Sequence, residues 1–237
     1  MLPVGAVVVD FDGTACAHDV AEHLLDAFAE EDWAAYDEAV DRREIGLWTA
    51  IQIQDRMLHA DRQTMIGFAL EHCSMDPTFA PFCGWLGSQD VPVSIASDGF
   101  GFYIEPLLER EGLGNLPVIT NRQRWGAEAR PGGIDFVSSH PVCVGCGTCK
   151  MQAVEQGRAR HGAVAFIGEG QSDRYGALYA DIVFAKDALP GYCEEDGVPY
   201  LRWETFDDIR SVLEDPATRL PGPVAPVTCP GWTLPPA

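Results

Sequence analysis

The sequence predicts an α/β protein, a doubly wound parallel sheet of Rossmann-like type carrying an inserted all-helical cap. Three observations point there. Strand-length runs occur at Val4 to Val9, Val91 to Ala96, Ala163 to Ile167 and Asp181 to Ala185, each followed by polar or Gly-containing sequence and then a helical pattern. Continuous β-branched runs suit strands buried on both faces, and strands alternating with helices build parallel sheets. Between the first two runs, apolar residues fall at helical spacing in Leu24, Leu25, Phe28 and again in Leu47, Ile51, Met57, Leu58, with no convincing strand.

In chain order, residues 1–18 and 89–214 are expected to form the α/β core and residues 19–88 the helical cap. Residues 105–131 mix Gly, Pro and Arg around a candidate strand at Val118 to Thr120 and can be placed only coarsely. Residues 215–237 read as a Pro-rich tail, extended or disordered.

The chain has 237 residues with 16 basic and 36 acidic side chains, a formal charge of -20. That sign excludes nucleic acid as an expected partner, because phosphate backbones are bound by Lys and Arg, and it disfavours anionic membranes. No apolar run approaches the ~20 residues that span a bilayer, and the start lacks a basic leader, so a soluble cytoplasmic protein is expected. Ten acidic residues fall between Asp19 and Glu44. They read as a solvated cap face, away from any phosphate pocket.

The chemistry-bearing residues lie at strand ends. Asp10 and Asp12 follow the first run, at the edge where open α/β sheets bind ligands. Carboxylates at i and i+2 on extended chain face one substrate; one can attack phosphorus while the other moves protons. An Asp-Gly turn is the plainer reading of the same residues. Ser97 follows the second run in Ile95-Ala96-Ser97-Asp98-Gly99, where its hydroxyl and backbone N–H groups at a helix start can hold phosphate oxygens. Lys150 comes later, one of only two Lys among the 16 basic residues, and Glu169 and Asp173 lie in Gly168-Glu169-Gly170-Gln171-Ser172-Asp173.

In that order the four segments resemble the motifs of the haloacid dehalogenase superfamily of phosphohydrolases over residues 4–214. The insertion is similar to the cap of the phosphoserine phosphatase-like subfamily. Segments Ser97 to Ile104, Cys146 to Lys150 and Gly170 to Arg174 most resemble the 2-hydroxy-3-keto-5-methylthiopentenyl-1-phosphate phosphatase group. The resemblance implies Asp10 as nucleophile, Asp12 as acid and then base, and Lys150, Thr14, Ser97, Asp98 and Gly99 holding the phosphoryl group. It implies Mg²⁺ on the Asp10 carboxylate, the Asp12 carbonyl and Glu169, with Asp173 supporting Lys150 or a metal-bound water. Glu169 departs from the family's usual Asp, yet remains a hard oxygen donor one methylene longer. A small phosphorylated metabolite is the expected substrate. A phosphotransferase using the same residues, or a degenerate phosphate-binding module, are the alternatives; oligomeric state is left open.

His140, Cys143, Cys146 and Cys149 are spaced by three immediately before Lys150. They are a candidate structural Zn²⁺ set, although zinc usually pairs two distant ligand pairs. Buried thiols or redox pairing explain them as well, and an iron–sulfur cluster lacks a nearby fourth Cys, position 153 being Ala. In the cap, Asp19 is a candidate contact for a polar substrate group. Arg42, Arg43 and Arg56 are candidates for a second anion, with surface Arg the plainer reading. Phe100, Phe102 and Tyr103 fit core packing as well as substrate contact.

Overall fold

A computed structural model describes residues 2–30, 32–225 and 229–233. Seven strands form one sheet: β1 (Ala6–Val9), β2 (Val93–Phe100), β3 (Val118–Trp125), β4 (Pro131–Asp135), β5 (Val164–Gly168), β6 (Ile182–Ala185) and β7 (Leu201–Arg202). Their order is β4-β3-β2-β1-β5-β6-β7. All neighbours run parallel except the β3–β4 pair. The chain leaves β1 first toward β2 and later returns to its other side as β5, so the switch point that attracts ligands lies at the end of β1.

Period-two alternation gives the central strands β1, β5 and β6 two dry faces. Val7, Val9, Ala165 and Ile167 pack into one core cluster, while Ala6, Val8, Val164 and Phe166 pack into the other. Helices α5 (Phe79–Ser88), α6 (Gly101–Arg110) and α10 (Phe206–Glu214) contribute to the first cluster, and α7 (Lys150–His161), α8 (Arg174–Ala177) and α9 (Leu189–Asp196) to the second.

The insertion holds α1 (Val20–Phe28), α2 (Ala34–Asp41), α3 (Leu47–Met57) and α4 (Arg62–His72). Asp19 caps α1 by accepting the Glu22 N–H at 2.9 Å, and Asp61 caps α4 through the Gln63 and Thr64 N–H groups. An antiparallel bridge between Cys16 and Met75 closes its neck. Beyond that neck, α5 stacks Phe79 on Phe206 of α10 with centroids 4.9 Å apart. We therefore propose that the cap ends near residue 75 and not at 88, with α5 part of the sheet's own helical layer. No helix among the described residues is long and apolar enough to cross a membrane.

The coarsely placed region forms a hairpin, with β3 running to Trp125 and pairing with β4. The Pro-rich tail is tied down over part of its length, since Gly222 donates to the Asp181 carbonyl at 3.0 Å and Val224 to that of Leu178 at 3.0 Å. A short turn follows at Pro230–Thr233. Residues 226–228 and 234–237 of the expected tail lie outside the described residues.

Candidate active site

The floor of the site is built by strand ends. β1 stops at Asp10, and the chain then turns through Gly13, whose φ of +67° is in the left-handed region. A Cβ there would lie 3.1 Å from the Glu169 Cγ, so this turn and the end of β5 are packed together. Lys150, the first residue of α7, is wholly buried and donates to the Asp10 Oδ1 at 2.8 Å, the Ser172 Oγ at 2.8 Å and the Asp173 Oδ1 at 2.7 Å. Three acceptors satisfy the three ammonium protons, a geometry that suits a point charge better than a forked guanidinium. Burial works against the Lys150 charge, but Asp10 and Asp173 outweigh it and hold its pKa well above the ordinary value. The other oxygen of Asp173 accepts the Glu169 and Gly170 N–H groups at 2.8 and 3.0 Å, which leaves this carboxylate fully engaged in positioning.

Asp12 is oriented from two sides. The Val20 N–H meets its Oδ1 at 3.0 Å, while the Tyr103 and Ser97 hydroxyls meet its Oδ2 at 3.1 and 3.3 Å. Burial, with Asp19 and Asp10 nearby, holds the Asp12 carboxyl well above the ordinary range, so it is poised to carry a proton. Tyr103 thus has a polar task at the site besides its core packing. β2 continues to Phe100, and α6 starts only at Gly101. The expected helix start directly after Ser97 is therefore displaced, and the Gly99 N–H is taken by the Ser97 Oγ at 2.9 Å. Gly99 is sterically required: a Cβ would sit 2.7 Å from the Asp12 Oδ2.

Asp10, Glu169 and Asp173 bring ligand oxygens within 4.8 Å of one another. Burial and the Asp173 charge push Asp10 up to about 7, and burial with Asp173 and Asp10 pushes Glu169 up to about 9. A further cation beside Asp10 and Glu169 would favour their ionised forms against this burial. Hard oxygen donors of this kind fit Mg²⁺.

Above the floor lies a cavity of ≈ 260 Å³ between sheet edge and cap. Leu24, Leu25, Leu47, Ile51, Phe100 and Phe102 give it apolar walls, and among the described residues Lys150 is the only Lys or Arg along its lining. Asp19, Glu22, Asp37, Asp41 and Asp55 also line it. The expectation that the cap's negative charge stays away from the pocket is overturned: part of it forms the roof. Asp55 is buried, and its Oδ1 has no hydrogen-bond partner among the described residues. Burial pushes Asp37 up to about 6, against the hydrogen bond it accepts from Gln54 Nε2 at 2.8 Å. A signal for this roof was present in the sequence, since Gln54 and Asp55 stand at i+3 and i+4 from Ile51, on the apolar stripe of α3.

Other expected residues fall elsewhere. Thr14 is fully buried with its Oγ1 unpartnered among the described residues, and it does not line the cavity. Asp98 does line the cavity, and its carboxylate accepts the Thr148 N–H at 2.6 Å, bracing the loop before Lys150. Arg42 pairs with Glu38 and Glu44 at the surface, and neither it, Arg43 nor Arg56 lines the cavity. The zinc set is not assembled: among the described residues its ligand atoms form no such close group, and His140 Nδ1 accepts the Val142 N–H at 3.3 Å. Ser172, a partner of Lys150, was missed because a Ser in a Gly-rich turn has many uses.

Paired carboxylates at the end of the central strand, a buried Lys and an acidic loop are thus brought together in one site, the constellation that the sequence resemblance implies. The relatives agree. The chain is 26% identical over 216 residues to "Bifunctional enzyme MtnB/MtnX" of Bacillus licheniformis, covering 89% of this chain and 49% of that protein. The chain thus spans about half the length of that relative. It is 28% identical over 207 residues to "2-hydroxy-3-keto-5-methylthiopentenyl-1-phosphate phosphatase" of Brevibacillus brevis, covering 86% of this chain and 93% of that one. Among solved structures, a phospho-aspartyl intermediate analogue of phosphoserine phosphatase matches with a TM-score of 0.69 at 13% identity, over 89% of this chain and 99% of that chain. At that identity the likeness speaks for the fold. No protein-family model matches the chain. The chain shares the fold of phosphoserine phosphatase structures.

Proposed function

We propose that the chain hydrolyses a small phosphomonoester with a bound Mg²⁺, through a phosphoryl group carried on Asp10. The observation that supports this most is the Asp10–Lys150–Asp173 network beside Asp12, whose carboxyl burial holds well above the ordinary range. Asp10, the Asp12 carbonyl and Glu169 would hold the ion, with Asp173 behind them. When bound it would neutralise the phosphate and keep Asp10 ionised.

Asp10 attacks phosphorus, forming the carboxyl–phosphorus bond as the bond to the leaving oxygen breaks, and Asp12 gives its proton to that oxygen. Asp12 then takes a proton from water as the water attacks the aspartyl phosphate, releasing inorganic phosphate and restoring Asp10. Lys150 stabilises the phosphoryl oxygens and the Asp10 carboxylate throughout.

The cavity supports a substrate with an apolar body and no second anion, since Leu, Ile and Phe share its walls with carboxylates and no Arg among the described residues lines it. The phosphate named for the relatives, with its methylthio end, is such a molecule, and we propose it as the first candidate. A phosphomonoester panel with Mg²⁺ tests this: turnover should favour apolar-bodied esters over phosphoserine and disappear in Asp10→Asn. Turnover surviving that substitution would sink the mechanism, and a preference for phosphoserine would sink the substrate assignment.

A further inference from the structure

The fold delivers a fourth cysteine to the three before Lys150. Cys229, in the tail, is buried with Cys143, Cys146 and Cys149, at 5%, 8%, 5% and 6% exposure. Every pair among these four thiols is close enough to interact electrostatically. The two segments touch directly: a Cβ on Gly145 would lie 2.9 Å from the Gly231 Cα, and one on Gly231 would lie 3.4 Å from the Cys143 sulfur. The remaining cysteines are arranged differently. Cys83 and Cys193 have no thiol among the groups that perturb them, as expected of solitary buried thiols.

We propose that Cys143, Cys146, Cys149 and Cys229 are the ligand basket of a four-iron, four-sulfide cluster. Three features of the basket favour this over a single ion. The spacing Cys-x2-Cys-x2-Cys with a remote Cys-Pro, here Cys229-Pro230, matches the ligand pattern of four-iron clusters. Backbone N–H groups point at the sulfurs: that of Gly145 reaches the Cys143 Sγ at 3.3 Å, and those of Gln152 and Gly231 serve Cys149 and Cys229. Such bonds stabilise sulfur charge in a dry site. The sulfurs are also splayed. The only three ligand atoms among the described residues within 4.8 Å of one another are the carboxylates of the active site, so no three of these thiols close around one zinc ion. Tetrahedral zinc at about 2.3 Å from each sulfur would require that closure.

The cluster would fasten the tail to the loop that delivers Lys150, and the same loop abuts the cap and β2: a Cβ on Gly147 would meet Ile51 Cδ1 at 3.1 Å and the Asp98 Oδ1 at 3.1 Å. Its role here is to hold that junction, and it stands independently of the phosphatase reading.

The test uses the full chain, purified without oxygen and incubated with ferric iron, sulfide and a thiol that reduces part of the iron to ferrous. The expected result is a brown protein with broad visible absorption and about four irons and four acid-labile sulfides per chain. Cys229→Ser and Cys146→Ser should lose at least tenfold in bound iron, whereas Cys83→Ser and Cys193→Ser should retain it. A colourless protein with no bound iron, one zinc per chain in its place, or unchanged iron in Cys229→Ser would each overturn the proposal. The wild-type stoichiometry decides the matter even if a variant fails to fold.

Discussion

The floor and the roof of the cavity are built on opposite terms. On the floor, Asp10, Asp12, Lys150 and Asp173 each have named partners, and Lys150 alone makes three hydrogen bonds to acceptors on two segments. In the roof, Leu47 and Ile51 alternate with carboxylates such as Asp37 and Asp55, and the Asp55 Oδ1 has no partner among the described residues. A saturated network fixes atoms for chemistry, while an apolar wall with unspent polar groups is free to select what enters. The difference implies that floor substitutions should cost turnover and fold together, and roof substitutions should change which substrate is used.

The largest effect is expected at Lys150. Its removal leaves Asp10 and Asp173 buried together without their cation, so Lys150→Met should abolish turnover and lower unfolding stability by about 3–5 kcal/mol in denaturant titration. Lys150→Arg should not restore activity, because three separate acceptors around one ammonium do not match a planar fork. Next is the metal. Chelation should remove activity and added Mg²⁺ restore it, and Glu169→Gln should raise the Mg²⁺ needed for half-activity by about tenfold or more. A smaller and selective effect is expected from Ile51→Ala, which should cut kcat/KM for an apolar-bodied ester by about tenfold while changing a small polar ester little. An equal loss on both would erase the contrast between floor and roof.

The smallest effect concerns pH. The folded-state pKa of Asp37 is raised to about 6 by burial, above its unfolded value near 3.8. Its protonated form therefore favours the fold, and this contribution is present below about pH 4 and lost as pH rises through 6. Asp37 is half-buried, so the effect is discounted for solvent screening. Asp37→Asn should lessen the fall in Tm between pH 4 and 7 by about 1–3 °C relative to the parent chain.

The floor was legible in the sequence because its residues sit where short-range patterns end: a β-branched run stops and Asp10 follows, and another stops before Glu169. The roof was legible only in part: Asp19 was a candidate contact and lines the cavity, but Asp37 and Asp41 on a helix read the same whether they face water or a cavity. Spacing does not show that the Thr14 Oγ1 is buried without a partner among the described residues, or that the Asp98 carboxylate braces the loop before Lys150. β4, reading Pro-Gly-Gly-Ile-Asp, has little strand preference of its own and exists by pairing with β3. Cys229 lies too far along the chain for spacing to join it to Cys143, Cys146 and Cys149; only the packing of the tail does so.

The central claim is that Asp10 carries the phosphoryl group, and acid-quench peptide mass spectrometry after mixing with substrate and Mg²⁺ tests it most directly. The account predicts a phosphoryl adduct on the peptide bearing Asp10, which accumulates in Asp12→Asn when a good leaving group makes the missing acid unnecessary. Turnover with no adduct at Asp10, or with the adduct on another residue, would contradict it.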